Sequence, residues 1–512
     1  MEEALLLSGE RRMTREELNA NVARAAGGFE SLGVGEDDSV CLMLRNDFPF
    51  FEASMGATLA GAYAVPINWH NTADETRYIL EDCDARALVI HADLLPRVAH
   101  AVPETCRVFV VATPPEIAAA YGLAPDSLAV PADRTDWAAW LAGQPPFTRE
   151  PATQRTNMIY TSGTTGNPKG VRRDPADLET QARMNQLFEI VFGLRNDPSI
   201  RTVITGPMYH SAPNAYGLWS AKLAGLVILQ PRFDAEELLA LIEEHRITHV
   251  HMVPTMFVRL LKLPETVRSK YDLSSLEFVV HAAAPCPPDV KRRMIEWWGP
   301  VINEYYGGTE TGAVFFHTAE EALKKPGTVG RALPWADVRI VDDGLKELPP
   351  GEIGEVYMRL MGWPDFTYNK NDAKRAEVGL EHLVSCGDVG FLDEDGYLFL
   401  CDRKRDMVIS GGVNIYPAEI ENTLIGMPGV KDCAVFGIPD DEYGESLAAH
   451  VQLEPGGPVS EADIRGWLSA RLAKFKVPKR IVFEAELPRQ DSGKIFKRKL
   501  REPYWEDAGR QI

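Results

Sequence analysis

The chain has 512 residues, 45% hydrophobic and 25% charged, with a formal net charge of −20. That length exceeds what one hydrophobic core usually organises, so two or more domains are expected, and the composition excludes a disordered chain. The acidic balance argues against nucleic acid or an anionic membrane as a non-specific partner, so any anionic ligand has to be met by a local cluster of positive groups.

The first residues, MEEALLLSGERR, lack the basic start and apolar stretch of a secretory signal. Short apolar runs then alternate with helix-like stretches: SVCLMLRN, ARALVIHA, CRVFVVA, LVILQP and ITHVHMVP on one side, DAEELLALIEEHR on the other. Alternation of this kind predicts βα units with largely parallel sheets, an α/β chain. The longest near-apolar run, Met55 to Ile67, is shorter than the roughly 20 residues a spanning helix needs. The cysteines at 41, 83, 106, 286, 386, 401 and 433 form no C-x-x-C pair, which gives no support to disulfides or a zinc site and fits a reducing cytoplasm.

YTSGTTGNPKG, from Tyr160 to Gly170, is rich in hydroxyls and glycines and ends in a lysine. It is not a Walker loop, because Pro168 stands five positions after Gly163 and Lys169 is followed by Gly170. No G-x-G-x-x-G occurs here either. Glycines admit backbone N–H groups to an anion, hydroxyls add rotatable donors and Lys169 adds charge, so phosphate is the expected ligand. S-G-T-T-G by itself reads equally well as a surface turn between a strand and a helix. Further on, Gly206 to Arg232 contains no Asp or Glu. Near residue 400 the character changes: DEDGYLFLCDRKRDMVISGGVNIYPAEIE predicts a tight turn at Asp395-Gly396, a strand, a charged segment, then glycines leading into a helix. Beyond it the chain reads as a small α+β unit. From Arg471 to Arg501 there are eleven Lys/Arg against three Asp/Glu. That balance suits either a solvated basic tail or a surface for a polyanionic ligand.

YTSGTTGNPKGV, PMYHSAP (Pro207–Pro213), HAAAP (His281–Pro285), YGGTE (Tyr306–Glu310), SCGDVGFLDEDG (Ser385–Gly396), DRKRDMVISGG (Asp402–Gly412) and PRQDSGKIFKR (Pro488–Arg498) resemble, in order, the signature segments of the adenylate-forming superfamily. That superfamily contains acyl-CoA synthetases, aryl-CoA ligases, amino-acid adenylation domains and firefly luciferases. The resemblance covers nearly the whole chain. It implies a large N-terminal domain of several subdomains over residues 1–402 and a small mobile α+β domain over 403–512, with a hinge at Arg405. It also implies ATP, Mg²⁺ and coenzyme A as cofactors, a small carboxylic acid as substrate, and a reaction in which the acid attacks the α-phosphate, releases pyrophosphate and is then passed to a thiol.

Residue by residue, the resemblance makes Thr161, Ser162, Gly163, Thr164, Thr165, Gly166 and Lys169 the triphosphate clamp. Ala283, Ala284 and Pro285 become the adenine turn, with Tyr306 and Gly307 in the nucleotide motif. Thr309 becomes the α-phosphate contact and Glu310 the magnesium carboxylate. Asp388 and Arg403 fall at the ribose, and Gly411 and Gly412 at the pantetheine tunnel. His210 is the gate near the substrate carboxylate and Lys494 the catalytic lysine. Two positions depart from the common pattern: Asp402 stands where glycine is commoner, and Gln490-Asp491 replaces a threonine-bearing pair.

The missing acidic residues between Gly206 and Arg232 disfavour an amino-acid substrate, while Tyr216, Gly217, Leu218 and Trp219 suggest an apolar acyl group or, equally, ordinary helix core. The chain runs to Ile512 with no carrier domain after it, so a diffusible thiol is expected, with Lys474, Lys476, Lys479 and Arg480 suited to its phosphates. A fatty acid is favoured. An aromatic or steroid side-chain acid is the second reading, a luciferase-type adenylating oxygenase the third and a non-catalytic nucleotide-binding protein the fourth. No nucleic acid or transmembrane segment is expected, and homodimer formation stays open.

Overall fold

The computed structural model describes residues 4–149, 155–161, 168–410, 413–440, 442–456, 459–489 and 495–506. The chain divides into two compact units, one of residues 1–283, 294–313 and 360–379, the other of 284–293, 314–359 and 380–512.

The first unit is built on two largely parallel sheets. In one, the strands run in the order Ile302–Gly308, Phe278–His281, His249–Met252, Asp197–Ile204, Ala224–Leu229, Ala4–Ser8 and Arg11–Thr14, parallel up to the last pair. In the other, Tyr63–Pro66, Ser39–Met43, Ala85–His91, Arg107–Val111 and Thr135–Asp136 lie parallel throughout. Parallel strands are covered on both faces, so they read as unbroken apolar runs rather than alternations. Every residue of Ser39–Met43 is buried, as is every residue of His249–Met252.

The predicted helix in DAEELLALIEEHR is Ala235–His245. Asp234 caps it by accepting from the Glu237 N–H, and its inward stripe is Leu238, Leu239 and Ile242. The long apolar run from Met55 divides between the helix Phe48–Leu59 and the strand Tyr63–Pro66. Among the described residues, no helix is long and apolar enough to cross a membrane.

A third sheet of this unit is small and antiparallel, with strands Phe366–Tyr368, Lys169–Arg173 and Ile159–Thr161. Its root is tied to the end of the helix Ala73–Asp82. The Tyr160 hydroxyl donates to the Asp82 carboxylate at 2.5 Å, and the Asn369 amide donates to the Asp82 carbonyl at 2.7 Å.

The second unit contains the order Ala336–Val341, Gly354–Leu360, Leu383–Leu392, Tyr397–Arg403 and Gly330–Ala332, antiparallel from Gly354–Leu360 onward. The expected turn at Asp395-Gly396 joins two of these strands, with Gly396 at φ +80°, a conformation glycine adopts freely. Its later part is the predicted α+β arrangement: strands Val408–Ser410, Val413–Ile415, Val430–Asp440, Gly444–Leu453 and Arg480–Glu484 with helices Pro417–Ile425, Glu461–Ser469 and Lys497–Trp505. Ile420, Leu424, Val435, Leu447, Val451, Ile464 and Leu468 share its core, each at most 2% exposed. Burial stabilises each such side chain by about 1.5–3 kcal/mol before chain entropy is counted. The α/β architecture thus agrees with the sequence. All seven cysteines are free.

Candidate active site

The strands Ile159–Thr161 and Lys169–Arg173 form a hairpin whose last described pair is Thr161 opposite Lys169. Ser162, Gly163, Thr164, Thr165 and Gly166 lie outside the described residues. A Cβ on Gly170 would come within 2.9 Å of the Tyr160 ring, so any larger residue would have to displace that ring.

Lys169 points its ammonium over the Tyr368 ring, 5.3 Å from the centroid. Burial lowers its pKa, with help from the charge of Lys374, while Glu310 and Glu377 pull it back up. The Tyr368 hydroxyl in turn donates to the Glu310 carboxylate at 3.1 Å. Lys169 and Glu310, predicted from separate motifs, therefore meet at one tyrosine. Mg²⁺ is bound by one or two carboxylates together with substrate phosphates and water. A half-buried Glu310 beside a lysine suited to phosphate fits that donor set.

Thr309 and Glu310 sit in the turn between the strands Ile302–Gly308 and Gly312–His317. The strands approach so closely that a Cβ on Gly307 would fall 1.8 Å from the Gly312 carbonyl oxygen, so only glycine fits. Within the turn the Gly308 N–H donates to the Thr311 hydroxyl at 2.9 Å. The Thr309 hydroxyl donates to the Ser211 hydroxyl at 3.1 Å. Ser211 begins the helix Ser211–Leu223, and His210 is its N-cap residue, with its ring 4.3 Å from that of Tyr209. His210 and Thr309 are thus brought to neighbouring positions. Tyr306 is half-buried on the same strand as Gly307.

The loop before His210 is held by an asparagine the sequence does not flag. The buried Asn46 side chain donates to the Gly206 carbonyl at 2.9 Å and accepts from the Met208 N–H at 3.0 Å. Sequence reasoning also misses Arg173. Its guanidinium donates to the Thr309 carbonyl, to the Glu310 carbonyl at 2.9 Å and to the Pro364 carbonyl at 2.8 Å. Period-2 alternation along KGVRR places Lys169 and Arg173 on one face of the strand, which is the one sequence signal that could have found it. Tyr216 proves to be core: it is 1% exposed, its hydroxyl is 2.8 Å from that of Thr202, and its ring packs on Phe192 and His251.

At HAAAP, Ala283 has φ +73°, a left-handed conformation that costs a residue with a Cβ and that clusters at ligand sites. Ala283 and Pro285 are exposed and Ala284 is half-buried, so this turn offers small side chains to a flat base.

In the second unit, Asp388 and Arg403 are direct cross-strand partners, and the guanidinium lies 3.3 Å from the carboxylate. Asp388 is nearly buried while Arg403 keeps more than a third of its side chain exposed. The next residue back explains its own departure from glycine. Asp402 accepts from the Arg403 N–H at 2.7 Å and from the Ala418 N–H at 2.8 Å, in the first turn of the helix Pro417–Ile425. The N-cap of that helix, Tyr416, makes no side-chain bond, so Asp402 satisfies an orphan donor from a distance. Burial raises the Asp402 pKa to about 6 against the opposing charge of Lys497 and the two N–H bonds. Gly411, Gly412 and Lys494 lie outside the described residues, although the chain flanking Lys494 is tied by an Arg489–Ile495 bridge and a Phe496 N–H to Pro488 carbonyl bond of 2.7 Å.

Comparison with known proteins agrees with these motifs. Residues 2–362 match the AMP-binding enzyme family and residues 419–494 the AMP-binding enzyme C-terminal domain. The long-chain-fatty-acid–CoA ligase FadD13 of Mycobacterium tuberculosis (strain ATCC 25618 / H37Rv) is 32% identical over 493 residues, 96% of this chain and 93% of that protein. The feruloyl-CoA synthase of Amycolatopsis sp is 34% identical over 495 residues, with the same two coverages, 96% and 93%. Among solved structures, ATP-bound MatB from Rhodopseudomonas palustris superimposes with a TM-score of 0.83 at 27% identity, covering 99% of this chain and 97% of that one. The chain belongs to the AMP-binding enzyme family, with both its adenylate-forming and its C-terminal segments present.

Proposed function

We propose that this enzyme is an AMP-forming acyl-CoA ligase that activates an apolar carboxylic acid, a fatty acid by preference, with ATP and passes it to coenzyme A. The meeting of Lys169, Glu310 and Thr309 carries the reading, since an anion has to approach a polyanion and the rate depends on positioning plus cations at the developing charge. Lys169, Thr161 and the residues 162–166 would hold the leaving pyrophosphate, and Thr309 would donate to the α-phosphate. Glu310 would hold the nucleotide's Mg²⁺, which neutralises phosphate charge when bound. Asp388, an acceptor-only carboxylate, can take two ribose hydroxyls at once while Arg403 keeps it oriented. Adenine would lie on Ala283, Ala284 and Pro285, with Tyr306 and Gly307 beside it. Lys494 would bridge the substrate carboxylate and the phosphate during adenylation.

The second half-reaction is proposed to need a rotation of residues 403–512 about Arg405, replacing Lys494 by Gly411 and Gly412 at the entrance for the thiol. The turn at this point closes through Asp406 and Met407 N–H bonds to the Arg403 carbonyl, neither of which uses the Arg405 N–H. Arg405→Pro should therefore cut thioester formation by about 10-fold or more and adenylation by less, since proline fixes φ at the hinge and also biases Lys404 away from the helical region this turn uses. Pyrophosphate release and thioester yield, followed separately, check this. Equal losses in both steps would refute the hinge.

The second reading, an aromatic or steroid side-chain acid, is favoured by the half-buried Trp219, whose ring lies 4.3 Å from that of Phe188, itself 5.5 Å from Trp363. A panel of fatty, aromatic and steroid side-chain acids, assayed for pyrophosphate with and without CoA, decides between them. CoA-dependent thioester from one class supports the corresponding reading. Pyrophosphate without thioester would point to another acceptor, and no pyrophosphate from any acid would overturn the proposal. A cytoplasmic location belongs to the same proposal, on the free cysteines, and homodimer formation is a question for sedimentation.

A further inference from the structure

Arg173 is 7% exposed, so its charge has been taken out of water, and it donates to the backbone carbonyls of Thr309, Glu310 and Pro364. The rings of Trp363 and Phe366 stand 5.5 Å and 5.9 Å from the guanidinium carbon. Two of those carbonyls belong to the two residues whose side chains the proposed chemistry uses. Pinning the carbonyls of Thr309 and Glu310 fixes the two peptide planes on either side of the Glu310 Cα, and with them the direction in which the Glu310 carboxylate leaves the chain, and it fixes one of the two planes flanking Thr309. The side chains are held separately, Thr309 by Ser211 and Glu310 by Tyr368. Arg173 and Tyr368 lie on adjacent strands of the same small sheet, the one that begins at Lys169 and receives the phosphate-binding stretch.

We propose that Arg173 is a positioning residue for the nucleotide–metal site, a backbone clamp that with Tyr368 aims Thr309 and Glu310 at the phosphates and their cation. The inference rests on the functional reading of Glu310 given above. It depends on the shape of arginine: a planar guanidinium offers five donors in a fixed fork and can serve several carbonyls, whereas an ammonium on a shorter reach cannot span the same set. Arg173→Lys keeps the charge but leaves at least one buried carbonyl without its donor, a loss of about 5- to 150-fold in the population of the ordered turn.

The test compares Arg173→Lys, Tyr368→Phe and Glu310→Gln with the parent enzyme. Hydrogen exchange of the peptide spanning residues 305–313 should quicken by about 10-fold or more in Arg173→Lys, because the turn loses its outer clamp. Mn²⁺ affinity in the presence of ATP, read by electron paramagnetic resonance, should weaken by about 10-fold in Arg173→Lys and by about 3- to 10-fold in Tyr368→Phe. Adenylation should fall in parallel, while thioester formation from pre-made acyl-adenylate and the KM for the acid stay within about twofold. Unchanged exchange and Mn²⁺ affinity in Arg173→Lys would overturn the clamp. So would a variant that does not fold, or one that loses both half-reactions and melting temperature together, since Arg173 would then be a scaffold residue. If Glu310→Gln leaves Mn²⁺ affinity intact, the reading of Glu310 fails, and the exchange result still decides whether Arg173 orders the turn.

Discussion

Lys494→Ala is expected to slow acyl-adenylate formation by about 10²–10³-fold, the size of effect seen when one preorganised donor to a developing oxyanion is removed. The same variant should convert pre-made acyl-adenylate to thioester at close to the parent rate, because on the proposed rotation Lys494 has left the site before the thiol attacks. The two rates are measured separately, the first as pyrophosphate release in a single turnover and the second by mixing synthetic acyl-adenylate with CoA. The basic neighbours of this lysine are already engaged. Lys497 is engaged with Glu421 at 2.8 Å, Lys476 with Glu419 at 2.7 Å and Lys479 with Asp440 at 2.7 Å, so each of these charges already has a carboxylate partner. The chain on both sides of Lys494 is anchored, by the Arg489–Asp432 ion pair, by the Arg489–Ile495 bridge and by the Phe496–Pro488 bond. Replacement by alanine should therefore remove a catalytic charge without unfolding the segment. A loss shared equally by the two half-reactions would return Lys494 to the role of one more cation in a basic tail.

How far the sequence could be read depends on how local each device is. The α/β architecture is legible because buried parallel strands such as SVCLM and HVHM announce themselves as short apolar runs. The helix Ala235–His245 is legible because its cap and its apolar stripe lie within one segment. Asp388 and Arg403 are found by motif, and the strand register that makes them partners confirms their adjacency. The clamp around Thr309 and Glu310 is not legible. Arg173, Tyr368 and Ser211 come from three separated segments, as does the Asn46 that holds the loop before His210, and each meets hydrogen-bond partners far away in sequence. Nothing in KGVRR or PDFTYNK says what carbonyl or carboxylate will lie opposite. Tyr216 shows the converse case: on the helix after a motif histidine the sequence leaves an acyl pocket and helix core equally open, and its hydroxyl and ring are both engaged in the core.

The same distinction between charge and geometry governs Lys497→Met, which is expected to destabilise the second unit by about 2–3 kcal/mol near pH 8 and by less near pH 5. The ammonium of Lys497 is bonded to Glu421 and also senses Asp402 and Asp406, three carboxylates drawn from the segment before the helix Pro417–Ile425 and from the helix itself. Burial disfavours that ammonium, but the three carboxylates outweigh it and raise its pKa, so it stays charged throughout the range of interest. Removing it takes from Glu421 its ion-pair partner and from Asp402 the largest influence favouring its charge, while Asp406 keeps Arg501 at 3.8 Å; the cost falls between that of breaking a buried pair and that of breaking an exposed one.

The pH dependence follows from Asp402. Its folded-state pKa is raised to about 6, above an unfolded value of about 4. A raised acid contributes stability that is fully present below the unfolded pKa and is lost as pH rises through the folded one. In the parent protein that loss falls between about pH 4 and pH 6, because burial opposes ionisation and Lys497 is the largest influence favouring it. Without Lys497 the folded pKa moves higher and the loss extends above pH 6, so the methionine variant suffers more at pH 8 than at pH 5. Urea unfolding at the two pH values measures the difference. Exchange of the Val435 N–H, which donates to the Glu421 carboxylate at 2.6 Å, reports whether the helix Pro417–Ile425 has loosened from its sheet. Equal destabilisation at both pH values would mean that Asp402 ionises without reference to Lys497, and that its carboxylate is held by its two N–H bonds alone.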